Sequence, residues 1–143
     1  MTEETPERLD AAKLAAVFAA SPFMSTLKLE VVGMDFEKSE LSVRMPLHPG
    51  LERRAGTKQF HGGGIASLID VTGDFAIGMM VGGGVPTINL RIDYLKPAVG
   101  DALKATARVR RSGKTVAVVD IDVFDDKGGL VAIGRGTYSP QRG

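Results

Sequence analysis

Residues 61–84 read HGGGIASLIDVTGDFAIGMMVGGG. Ile65, Leu68, Ile69, Ala76, Met79 and Met80 recur at helical spacing, and Val71, Phe75 and Ile77 make the other face apolar as well. A helix that is hydrophobic nearly all round must be covered on every side, so this stretch predicts a buried core helix. Gly82-Gly83-Gly84 is its stop signal. Two acids, Asp70 and Asp74, interrupt the apolar run one turn apart.

Outward from this helix the period changes. Leu29, Val31 and Gly33, then Leu41, Val43 and Met45, alternate with other residues around Glu37-Lys38-Ser39-Glu40, which predicts a β-hairpin. Residues 47–60 are rich in proline, glycine and charge and read as a loop. Four strand-like segments follow the helix, at 88–94, 103–111, 115–125 and 130–138. Their short links favour antiparallel neighbours, so they are expected to form a four-stranded meander. Before the hairpin, residues 1–9 are expected to fray. Asp10 caps a helix carrying Leu14, Val17 and Phe18, and Ser21-Pro22 opens a second helical turn. The fold class is α+β, with one long helix covered by a sheet. Residues 1–27 are expected to form an N-terminal helical extension and 28–140 the main domain.

Composition narrows the function. A formal net charge of +1 and 6% aromatic residues argue against a nucleic-acid surface. The absence of cysteine excludes thiolate metal sites, and with two histidines a multi-histidine metal site is not expected. The acidic start lacks the pattern of a signal peptide. The stretch from Phe75 to Val85 is glycine-interrupted and too short to span a bilayer, so no membrane partner is expected and the cytoplasm is the default address.

HGGGIASLID at 61–70, PTINLRIDYLKPA at 86–98 and RSGKTVAVVDIDVFDDKGGLVAIGRGTYS at 111–139 together resemble the hot-dog-fold acyl-CoA thioesterase superfamily, over roughly residues 28–139. The resemblance is to the branch that includes the phenylacetate-pathway thioesterases. It implies a curved antiparallel sheet wrapped around one long helix. It also implies a homodimer with a continuous sheet, often doubled to a homotetramer, with active sites between protomers. Neither metal nor organic cofactor is implied. The expected activity is hydrolysis of acyl-CoA to free acid and CoA; the alternative is an acyl-CoA-binding hot-dog domain without catalysis.

The residues support this chemistry to different degrees. Glycines at a helix start let a substrate approach unpaired backbone N–H groups at the positive end of the dipole. By resemblance Gly62 is the oxyanion donor and Gly63 lines the substrate; a tight loop-to-helix entry would need the same glycines. Asp70 is costly on an apolar helix unless paired or used. By resemblance it is the nucleophile or general base. His61 is given a supporting role, Thr87 helps hold water or the carboxylate, and Gln59 stands in for a family amide whose place is Ala55. Thr87 also suits a strand, and Gln59 an exposed loop. Asp74 is counted with the substrate-binding residues; solvent or an arginine is its expected partner, and burial of both acids would instead raise one pKa. Arg110, Arg111 and Lys114, with Lys96, form either a solvated edge or a binding set for CoA phosphates. Phe23, Met24, Phe75, Met79 and Met80 are expected to set the depth of an acyl pocket.

Overall fold

The computed structural model describes residues 7–141. Two short helices, α1 (Ala11–Ala20) and α2 (Pro22–Leu27), precede a hairpin of β1 (Glu30–Asp35) and β2 (Glu40–Pro46). The core helix α3 (Gly62–Val81) follows, then β3 (Thr87–Tyr94), β4 (Ala102–Ser112), β5 (Ala117–Asp125) and β6 (Leu130–Tyr138). The strands form one antiparallel sheet in the order β1-β2-β4-β5-β6-β3, and α3 packs across it, against β2 through β6. This is the hot-dog arrangement expected from the sequence.

Helix α3 is 20 residues long, about 30 Å at the α-helical rise. It is long and apolar enough to cross a membrane, but it is the core helix of this sheet. The face turned to the sheet meets Leu41, Val43 and Met45 from β2, Ala105 and Ala107 from β4, and Val119, Ile121 and Val123 from β5, all buried. The helix ends where expected. Gly82 takes a left-handed backbone (φ 89°), and the N–H groups of Gly82 and Gly83 both donate to the Gly78 carbonyl.

The N-terminal helices are part of this core. Asp10 caps α1 through the Lys13 N–H, as expected. Phe18 meets Phe75 of α3 edge-on at 5.3 Å between centroids, a geometry worth about 1 kcal/mol beyond area burial. The expectation of fraying over 1–9 falls partly on residues 1–6, outside the described residues. At Leu9 it is corrected: the side chain is buried, and its N–H donates to the Met79 carbonyl at 3.0 Å. That carbonyl belongs to the last turn of α3 and has no partner within the helix.

The four-stranded meander is also corrected. β4, β5 and β6 are consecutive neighbours, but β3 pairs with β6 at the sheet edge rather than with β4. Residues 95–101, extended, reach about 23 Å, against about 14 Å for three strand spacings. A link that is short by count is therefore long enough to cross two strands. It is tied to the preceding loop, with Phe60 N–H on the Ala98 carbonyl (2.8 Å) and Gly100 N–H on the Lys58 carbonyl (3.0 Å). That loop is itself ordered by a 3-10 turn at Pro49–Leu51 and a Glu52–Phe60 bridge.

Candidate active site

A helix start has four backbone N–H groups without helical partners. Here three of them are satisfied. The His61 N–H donates to the Leu51 carbonyl at 2.7 Å, the Gly64 N–H donates to the His61 carbonyl at 3.0 Å, and the Gly63 N–H donates to His61 Nδ1 at 2.9 Å. The Gly62 N–H alone has no partner among the described residues. Tyr94, at the end of β3, holds the other side of this residue by donating its hydroxyl to the Gly62 carbonyl at 2.8 Å. Because Nδ1 accepts, a neutral His61 ring carries its proton on Nε2. His61 thus supports the helix start, and Gly63 offers space rather than a donor.

Asp70 lies eight residues further along α3 and is half-buried. Thr87, the first residue of β3, donates its hydroxyl to Asp70 Oδ1 at 2.8 Å. No buried side-chain oxygen lacks a partner among the described residues, so Asp70 Oδ2, which has none, is open to solvent or substrate. Behind it, the fully buried Tyr138 places its hydroxyl 3.3 Å from the Asp70 carbonyl. Burial, with the neighbouring Asp70 and Asp74 charges, pushes the Tyr138 hydroxyl well above the usual phenol range, so it keeps its proton.

Asp74 departs from the partners expected for it. No arginine pairs with it among the described residues; Oδ1 accepts the Val85 N–H at 2.8 Å, and the side chain is half-buried. Burial pushes its pKa up to about 7; the Val85 hydrogen bond works against this, and the Asp70 charge adds to it.

The remaining residues divide between the two ends of the sheet. Ser112, Ala117, Tyr138 and Thr87 form one cross-strand row. Arg110, Arg111 and Lys114 therefore stand at the Asp70 end. Arg110 is 3.6 Å from Asp120; Arg111 and Lys114 make no ion pair among the described residues. Lys96 lies beyond Tyr94 at the opposite end, 3.7 Å from Asp125. Within one chain these four bases do not form one cluster. Gln59 sits at the Gly62 end, in a bridge with Val99, and its side-chain amide makes no hydrogen bond among the described residues.

A groove of about 360 Å³ opens beside the helix start, lined by Phe23, Leu27, His48, Leu51, His61 and Ser67. Of the residues expected to set pocket depth, Phe23 lines it and is 58% exposed. Phe75 and Met79 are buried in the core instead, because a helix apolar all round gives them packing partners on the far side. The outer face of the sheet carries a separate depression lined by Arg91, Arg108, Asp120 and Arg135. It holds surface ion pairs, including a two-pronged Arg135–Asp120 contact, away from the helix.

Sequence reasoning missed Tyr94, Tyr138 and Val85. The tyrosines read as ordinary strand residues, yet the chain has only these two and both reach α3. Val85 acts through its backbone, which no side-chain pattern reports.

Comparison with known proteins places the chain. Residues 59–132 match the family model described as the thioesterase superfamily. A Halobacterium salinarum protein, named only provisionally as an esterase, is 37% identical over 115 residues, covering 73% of this chain and 76% of its own length. The Escherichia coli medium/long-chain acyl-CoA thioesterase YigI is 27% identical over 136 residues, covering 82% and 84%. Escherichia coli PaaI, named an acyl-coenzyme A thioesterase, is 37% identical over 82 residues, covering 57% and 58%. Its solved structure superposes with a TM-score of 0.75 at 28% identity, covering 91% of each chain. With a family match over more than half its length and the hot-dog architecture around α3, the chain belongs to the thioesterase superfamily.

Proposed function

We propose that the protein hydrolyses acyl-CoA thioesters at a site that takes its oxyanion donor, Gly62, from one protomer and its carboxylate, Asp70, from a second. The observation that carries this reading is their separation along α3. Eight residues amount to about 12 Å of helix. A carbonyl with a donor and an attacking atom each about 3 Å away spans much less. One chain therefore does not supply both groups to one thioester.

Strand β3 supplies the geometry that joins two chains. It is an edge strand, so one side of its backbone ladder is unpaired within the chain. Its Thr87 end touches Asp70 and its Tyr94 end touches Gly62. Antiparallel pairing of two β3 edges about a twofold axis sets the Thr87 end of one against the Tyr94 end of the other. Asp70 of each then faces Gly62 of its partner. The same pairing covers the exposed side chains of Ile88 and Tyr94. The tetramer implied by the family resemblance is a further doubling of this unit.

In the reaction, the Gly62 N–H, strengthened by the helix dipole, stabilises the charge developing on the thioester oxygen. Asp70, oriented by Thr87, either attacks the carbonyl carbon and expels the thiolate, or draws a proton from water that attacks instead. Both routes consume one water and yield acid and CoA thiol. The first route forms an acyl-aspartyl anhydride, which water cleaves to free acid and Asp70. ¹⁸O found in the Asp70 carboxylate after a single turnover in ¹⁸O water identifies that route, because the general-base route breaks no bond to Asp70. Arg111 and Lys114 are the residues for the CoA phosphates.

The test is thiol release from short, medium, long-chain and aryl acyl-CoA. Wild type is expected to turn over at least one class. Asp70→Asn and Asp70→Ala are expected to lose about 10²–10⁴-fold in kcat. Binding without release of CoA from any of them would leave the non-catalytic alternative. Equal activity in the variants would remove Asp70 from the mechanism.

A further inference from the structure

The Asp70–Thr87 contact depends on the segment that leads into it. That segment is also held by the Gly82 and Gly83 N–H groups on the Gly78 carbonyl, by the Ser139 N–H on the Pro86 carbonyl at 2.9 Å and by the buried Val85 side chain. Between the end of α3 and β3 the chain runs Gly82-Gly83-Gly84-Val85-Pro86. Three glycines provide no side chain to anchor, and Pro86 has no N–H to donate. Two side chains of α3 grip the residues beyond this glycine turn. Asp74 Oδ1 accepts the Val85 N–H at 2.8 Å, and Asp70 Oδ1 accepts the Thr87 hydroxyl at 2.8 Å. The two acids are four residues apart and share one side of the helix, so they hold the segment at two points two residues apart.

We propose that Asp74 is a positioning residue for Asp70: by holding Val85 it sets where Thr87 meets the Asp70 carboxylate. This rests on the reading of Asp70 as the reacting carboxylate. The groups facing Asp74 leave it no cation to lean on. Asp70 is on its own helix, Tyr138 comes from β6, and the segment from the glycine turn contributes only the Val85 backbone. No lysine, arginine or histidine pairs with Asp74 among the described residues. Burial and the Asp70 charge both favour its protonated form up to about pH 7, and a protonated carboxyl still offers the oxygen that Val85 needs.

Two measurements decide the matter, one of them independent of activity. The first is the Val85 amide proton followed by NMR as pH rises from 5 to 9. In wild type it is expected to shift with a midpoint near 7, and in Asp74→Asn, which keeps a carbonyl oxygen but does not titrate, to stay flat. The second is a comparison of kcat and KM across pH on a substrate that wild type turns over. Asp74→Ala, which leaves the Val85 N–H unpaired, is expected to lose about tenfold in kcat with little change in KM. Asp74→Asn is expected to recover most of that loss and to lack any inflection near pH 7 that wild type shows. A Val85 amide that does not respond to Asp74, or a folded Asp74→Ala protein with wild-type kcat, overturns the proposal. Absence of turnover by wild type would instead count against the hydrolase reading, and the Val85 titration still decides the Asp74 contact.

Discussion

Thr87 Oγ1 stands 2.8 Å from Asp70 Oδ1, joining the first residue of the edge strand to the middle of the core helix across 17 residues of sequence. A hydroxyl donor on one carboxylate oxygen fixes the orientation of the other, and the Asp70 oxygen left free is the one that can react. Hydrogen bonds to charged groups contribute about 1.5–3 kcal/mol, with exposure placing this one at the low end. Thr87→Val keeps the branched shape and removes the donor. It is expected to lower kcat about tenfold and the melting temperature by only a few degrees. Steady-state kinetics beside a thermal melt checks this, and unchanged kcat would count against an orienting role.

Gly73, in the middle of α3, presents two opposed effects. Alanine is favoured over glycine in a helix interior by about 1 kcal/mol. A methyl group there, however, would overlap the Tyr138 hydroxyl and meet Tyr138 Cζ at 3.0 Å and Ile121 Cδ1 at 3.1 Å. Tyr138 is fully buried and has nowhere to move. Overpacking costs about 1–3 kcal/mol, so the clash outweighs the propensity. Gly73→Ala is therefore expected to lower the melting temperature by several degrees, and an increase would show that the ring has room to shift.

The main architecture was legible because it depends on periodicity. The all-apolar helix, its stop at Gly82 and the alternation of Leu41, Val43 and Met45 each state which face is buried. What periodicity does not report is partnership. Ile88 to Tyr94 reads as a strand, but nothing in its alternation says that it pairs with β6. Asp74 finds a backbone N–H, so no complementary side chain marks its partner in the sequence. Lys96 and Lys114 both flank turns, yet the sheet puts them at opposite ends. Phe75 and Met79 are indistinguishable in pattern from pocket-lining residues until Phe18 is seen packed against Phe75.

Asp74 also predicts how stability varies with pH. Its pKa is raised from the ordinary 3.8 to about 7 in the folded protein, so between these values the folded state binds a proton that the unfolded state has released. The associated stability is fully present below 3.8 and is lost as pH rises to about 7, then stays constant. Asp74→Asn does not titrate. Its stability relative to wild type is expected to rise from pH 4.5 to pH 7 and then level off, as read by denaturant unfolding at fixed ionic strength. A difference that does not vary with pH would contradict the raised value.

The most direct test of the two-protomer site is a mixing experiment. Gly62 is the first residue of α3, where proline is well tolerated, and His61 before it is already extended (ψ 140°). Gly62→Pro therefore removes the donor N–H while sparing the helix, and Asp70→Asn removes the reactive carboxylate. Each variant alone is expected to be nearly inactive. After the two are unfolded and refolded together, about half of the dimers are mixed, and each mixed dimer has one site with both groups intact. Recovery of about a quarter of wild-type activity is the predicted result. No recovery, with mixed dimers shown to have formed, would place Gly62 and Asp70 in the same protomer's site and contradict the account.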